Sequence, residues 1–172
     1  MLLDKGIGVI ILLIINMNLP KKHLAGFTLI ELLIVIGILG VLMAIVLVAL
    51  NPARQFAQAN DTKRASDVNA ILNAIHQYAA EKKGQLPAGI SATDQEICGA
   101  AAGCANLCAV LVPTYIAQLP VDPLVNDGIP VNPADCATTY ATGYWVQTGA
   151  NNRVTVRADA PEIPGAVIQV TR

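Results

Sequence analysis

The sequence predicts an α+β fold in which a long N-terminal α-helix, kinked near Pro52, packs against a small antiparallel β-sheet. Three observations carry this expectation. Phe27 to Leu50 is an apolar run broken by a single ionisable residue, Glu31. Val68, Ile71, Leu72, Ile75, Tyr78 and Ala79 recur at three- and four-residue spacing, the signature of a helix with one covered face. The C-terminal quarter holds short alternating runs, "GYWVQTG", "NRVTVRA" and "AVIQVTR", which read as strands.

Taken in order, residues 1–26 read as a leader. The stretch "IGVIILLIINMNL" is apolar but too short to span a bilayer, and no small-residue cleavage site of the A-x-A kind follows it directly. A start at Met17 would shorten the leader to "MNLPKKHLAG", basic through Lys21 and Lys22, leaving Met1 to Asn16 an extension without a role. Residues 27–50 form the apolar half of the helix, long enough at about 1.5 Å per residue to cross a hydrocarbon core of about 30 Å. Asn51-Pro52 interrupts it. Proline inside a helix removes a hydrogen bond at a cost of about 3 kcal/mol, so a bend or melted turn is expected over Val48 to Pro52. Residues 51–83 form the amphipathic half, with Lys82 and Lys83 in the last turn, Gly84 as its stop and Pro87 beyond. A continuous helix from Phe27 to Lys83 is about 80 Å long, more than a compact domain of this size needs for itself.

Residues 84–172 form the head. "QLPVDPLVNDGIPVNPADC" carries four prolines and an Asn-Asp-Gly turn and reads as an ordered loop. The first two strands join at "GANN", with Tyr144, Val146 and Thr148 facing one way and Trp145 and Gln147 the other. From Gly84 onward there are three basic residues against seven acidic ones, a net of −4, so the head is a poor phosphate binder and nucleic acid is an unsuitable partner for it. Four cysteines, Cys98, Cys104, Cys108 and Cys136, lie in the head; an even count beyond a membrane segment fits two disulfides in an oxidising compartment. Three pairings are possible. Spacings of five, three and 27 intervening residues lack the C-x2-C pairs of a zinc ribbon, and the head has no histidine. Catalysis finds no footing either: His23 lies in the leader, His76 on the helix, and no nucleophile motif or phosphate-binding glycine loop appears.

The stretch "GFTLIELLIVIGILGVLMAIVLVALNPARQFAQANDTKRASDVNAILNAIHQYAAEKKGQLP" resembles the N-terminal helix of type IV pilins and the related pseudopilins, densely from Ala25 to about Ala80. Beyond Pro87 the cysteine pair, "LPVDP" and a tyrosine-bearing strand with its hairpin are similar to the heads of small bacterial pilins. The resemblance implies that a prepilin peptidase cuts between Gly26 and Phe27 and methylates the Phe27 amine. It implies that Glu31 guides subunits into a growing filament, and that an assembly ATPase and a membrane platform protein supply the work. The physics agrees. A carboxylate inside a membrane helix costs on the order of 3 kcal/mol, and cleavage creates a cationic amine one turn before Glu31, in the same chain or a neighbour. Lys21 and Lys22 hold the leader in the cytoplasm. Gly37 and Gly40 suit close helix packing.

The resemblance also pairs Cys98 with Cys104 and Cys108 with Cys136. It raises Asp122, Asn126 and Asp127 in "DPLVNDG" as calcium candidates, since major pseudopilins bind calcium in a comparable loop; the bland alternative is a turn with solvated carboxylates and no cofactor. Two departures stand out: the proline that pilins often carry inside the apolar segment would fall on Val48 and is absent, and Leu124 stands where major pseudopilins carry tryptophan after Asp-Pro. The expectation is a non-enzymatic prepilin held in the cytoplasmic membrane with its head outside, then built with other copies into an extracellular pilus. Rival readings are a pseudopilin of type II secretion or a competence pilus for DNA uptake, a single-pass anchored binding protein that never polymerises, and a secreted enzyme behind an ordinary signal.

Overall fold

The computed structural model describes residues 26–99 and 101–172, so the leader features at Met17, Lys21, Lys22, His23 and Ala25 lie outside the described residues. The chain falls into two units divided after Val46. Helix α1 (Leu29–Leu50), most of which lies in the first, has no buried residue. Its 22 residues and apolar composition make it long enough to cross a membrane.

A single residue ends α1. Asn51 adopts a left-handed conformation (φ 42°, ψ 76°), and helix α2 (Pro52–Glu81) starts at the next position. Pro52 is therefore the first residue of a new helix, where its missing N–H would have had no partner anyway. The bend or melted turn expected over Val48 to Pro52 is thus confined to Asn51, and the chain stays helical through Leu50. The residue before a proline is disfavoured in the helical region, and asparagine tolerates the left-handed one better than most. The Asn51 side-chain oxygen accepts from the Arg54 N–H at 3.4 Å, capping α2.

Helix α2 buries Val68, Ile71, Leu72, Ala74, Ile75 and Ala79 along one stripe. It stops two residues before Lys83. Lys82 is the C-cap, its N–H donating to the Tyr78 carbonyl, and Gly84 at φ 87° donates to the Ala79 carbonyl at 2.7 Å. The lysines thus follow the last turn rather than forming it.

The stripe faces a four-stranded antiparallel sheet in the order β1 (Gln95–Cys98), β2 (Ala141–Thr148), β3 (Val154–Ala158), β4 (Gln169–Thr171). Tyr144 and Val146 of β2 point inward with Val154, Val156 and Ala158 of β3, while Trp145 and Gln147 point away. The β2–β3 connection turns through Asn151 and Asn152, both at positive φ. β1 was not expected, because "QEIC" is too short and too polar to show alternation. The short helix α3 (Cys108–Leu111) and the loops around it add Leu107, Leu111, Leu119, Val121 and Val131 to the core. Across the proline-rich loop, Leu119 and Val131 exchange backbone hydrogen bonds.

Two glycines allow close approach, Gly99 of another backbone segment and Gly143 of side chains. A Cβ on Gly99 would lie 2.3 Å from the Thr138 carbonyl oxygen. Gly143, at φ 73°, would place a Cβ 2.9 Å from Asp122 Cβ. Replacing Gly143 by alanine imposes both a left-handed backbone cost and a clash, so we expect a loss of about 2–4 kcal/mol in unfolding free energy. Gly149→Ala, whose Cβ would meet only ordinary contact at 3.7 Å and whose φ is −100°, serves as the comparison and leaves the unfolding midpoint nearly unchanged in circular dichroism melts of the full chain in micelles.

Candidate functional site

Gly26, Phe27 and Thr28 precede α1 as exposed, non-helical backbone. A Cβ on Gly26 would meet nothing within 4 Å among the described residues, so none of them calls for glycine there. The same holds at Gly37 and Gly40. Glu31 sits in the first turn of α1. One of its carboxylate oxygens, Oε2, accepts from the Thr28 N–H at 2.9 Å and from the Thr28 hydroxyl at 2.7 Å. The Thr28 Oγ1 in turn accepts from the Glu31 N–H at 3.3 Å. This reciprocal pair is a capping box, which satisfies backbone donors that a helix start leaves open. Thr28 was missed as a functional residue, although the T-x-x-E spacing ahead of an apolar run signals it.

In the second unit Cys98 is bridged to Cys104 and Cys108 to Cys136. The first bridge closes a loop after β1; the second ties α3 to the loop before β2. Asn126 and Asp127 form a tight turn at φ 47° and 54° with exposed side chains. Asp122 is placed quite differently. It is buried, and its two oxygens accept from Arg64, Nε to Oδ2 at 2.6 Å and Nη2 to Oδ1 at 2.9 Å; Oδ1 also accepts from the Leu124 N–H. The candidate calcium residues are thus separated in role, because Asp122 already faces a cation. No group of three or more His, Cys, Asp or Glu side chains arranged to hold a metal occurs among the described residues.

Arg64 is 0% exposed and gathers three carboxylates. Its Nη1 donates to Asp61 at 2.8 Å, and Nη2 lies 3.5 Å from Glu162. Asp61 also accepts the backbone N–H groups of Glu162 and Ile163, both at 2.9 Å, and the Asn60 amide donates to Glu162. The hydrogen bond to Asp122 raises the Arg64 pKa against the opposing effect of burial, with Asp61 adding to the rise, so the guanidinium stays charged. Beside it the Tyr144 hydroxyl donates to Asp67, which also takes Lys63 at 2.7 Å. Burial and then Asp67 raise the Tyr144 pKa, keeping the phenol neutral. Arg64 was not singled out from the sequence, but it falls on the helical stripe of Val68, Ile71 and Ile75, and a charge on an apolar stripe calls for a buried partner.

For Asp61, burial acts to raise the pKa, but the Glu162 and Ile163 N–H groups and Arg64 together outweigh it, and the net shift is downward from 3.8. A lowered carboxylate pKa contributes stability that is full above the unfolded value and is lost as pH falls through the folded one. The unfolding midpoint is therefore expected to fall below about pH 4, with a shallower acid limb in Asp61→Asn. Arg64→Met leaves buried carboxylates without their cation and is expected to cost about 3–5 kcal/mol in denaturant unfolding at neutral pH.

A model for the prokaryotic N-terminal methylation motif matches residues 21–47. No curated protein and no solved structure matches the chain. The matched span covers the Gly26-Phe27 junction, the Thr28–Glu31 cap and most of α1, and a long helix followed by an α+β head continues from it. Residues 21–47 are a prepilin-type segment of the type IV pilin and pseudopilin kind.

Proposed function

We propose that the chain is a prepilin, cut between Gly26 and Phe27 by prepilin peptidase, methylated at the new amine and polymerised with other copies into a type IV pilus. The observation that carries this reading is the methylation motif lying over an exposed, non-helical junction that opens directly into a membrane-length helix. A protease needs non-helical backbone it can approach, and residues 26–28 are exposed and non-helical, with glycine leaving the backbone open at 26. Since nothing among the described residues crowds Gly26, a demand for a small residue there is placed on the enzyme that reads it.

The apolar α1 is stored in the cytoplasmic membrane with the head outside, and assembly exchanges lipid for the helices of neighbouring copies. Gly37 and Gly40, with open space around them, suit that close approach. Glu31 has two tasks: it caps its own helix through Thr28, and it neutralises the Phe27 amine of its own chain or a neighbour. A pilus is favoured over the pseudopilin of a secretion system by Leu124 after Asp122-Pro123 and by the pairing of Asp122 with Arg64, which leaves the loop without a free buried carboxylate to offer calcium.

Co-expression with a prepilin peptidase followed by intact-mass and N-terminal peptide analysis tests the cut. The expected product begins at N-methylated Phe27 and disappears both in Gly26→Ala and when the peptidase is absent. An uncut chain, or one cut beyond Leu50, overturns the reading. Glu31→Gln separates the two tasks, because glutamine at this position still serves a capping box but carries no charge. We expect Glu31→Gln to be cleaved like the wild type yet to yield at least about tenfold less sheared filament, the equivalent of about 1.4 kcal/mol or more in subunit addition.

A further inference from the structure

Apart from the helix and the buried Arg64 cluster, the head holds a cleft of about 470 Å³ lined by Asn126, Ile129, Val131, Asp135, Thr139 and Tyr140 among others. Its size falls in the ~300–1,000 Å³ range of small-molecule sites. Both walls are pinned. The Asn126 side is a closed turn in which Gly128 donates to the Val125 carbonyl and Ile129 to that of Asn126, each at about 3 Å. The Asp135–Tyr140 side is tied to α3 by the Cys108–Cys136 bridge and to β1 by the Gly99 N–H, which donates to the Tyr140 carbonyl at 2.9 Å. No ordering of a loop is needed before something binds.

The polar groups are mostly acceptors. The Thr138 hydroxyl donates to the Asp135 carbonyl and the Tyr140 hydroxyl to the Asn106 side chain, so each spends its proton within the chain and leaves lone pairs over. The Asp135 carboxylate and the Asn126 amide are exposed and engage no other side chain among the described residues. Ile129 and Pro130, both exposed, supply an apolar edge beside the largely buried Val131. No Lys, Arg or His lines the cleft, and its one charge is negative, which disfavours anions. The matching ligand carries several O–H or N–H donors around a compact C–H face.

We propose that this cleft is a saccharide subsite that takes one neutral or amino-substituted pyranose unit. Asp135 and Asn126 accept and donate at adjacent ring hydroxyls, the Ile129–Pro130 edge meets the C–H face, and an ammonium in place of a hydroxyl pairs with Asp135. This assignment stands apart from the filament reading, since it concerns the folded head of a single chain.

The test is saturation-transfer NMR on the full chain in dodecylphosphocholine micelles, which carry no sugar headgroup. The probes are glucose, galactose and mannose with their 2-amino and uronic acid counterparts. At least one neutral hexose or amino sugar is expected to bind with a dissociation constant on the order of 1 mM, as suits about a dozen heavy atoms, and the uronic acids more weakly. Asp135→Asn is expected to weaken amino-sugar binding about tenfold, as loss of a charge-assisted pair does, and neutral-sugar binding less. Thr139→Val lowers both severalfold, whereas Thr155→Ala on the outward face of β3 changes neither. Absence of binding by every hexose, binding indifferent to Asp135→Asn and Thr139→Val, or uronic acids binding as well as amino sugars would each overturn the assignment. Unfolding midpoints equal to wild type in these exposed-site variants tie any loss to the cleft rather than to folding.

Discussion

The head depends on one buried cation. Arg64 is carried into the interior by the same helical stripe that buries Val68, Ile71 and Ile75, and once there it must be matched by charge. Asp122 matches it from the proline-rich loop, Asp61 from one turn earlier on α2, and Glu162 from the segment before β4. Three stretches distant in sequence are thereby fixed to one guanidinium. The planar fork of arginine suits this better than an ammonium, since Nε and Nη2 take both oxygens of Asp122 while Nη1 remains for Asp61. Asp61 extends the reach of the cluster by holding two successive backbone N–H groups of the 162–163 segment.

That cluster also explains why so loop-rich a head needs little regular structure. Its longest strand has eight residues and its last only three. Between the strands, ordering falls to the Arg64 cluster, to two disulfides and to glycines that allow close approach. Gly143 belongs to two of these arrangements at once: its missing side chain leaves room for Asp122, and Asp122 is the residue that closes on Arg64.

Periodic features were the legible ones. The membrane-length run, the amphipathic stripe of α2 and the inward and outward faces of β2 follow from apolar spacing, which is local. The prepilin-type segment was legible for a related reason, being a contiguous motif. What escaped was non-local or too short to repeat. β1 pairs with β2 across some 45 residues of chain, and nothing in "QEIC" announces it. Asp122 looked like a solvated loop acid because its partner lies 58 positions away. The break near Pro52 is legible from the proline, but the left-handed turn of Asn51 that makes Pro52 the start of a second helix is not.

The Thr28–Glu31 box lies wholly on the downstream side of the Gly26-Phe27 bond. A cut at that bond, as proposed above, therefore leaves all three of these hydrogen bonds in place. A new amine at Phe27 would add a positive charge ahead of α1 without disturbing the cap that starts it.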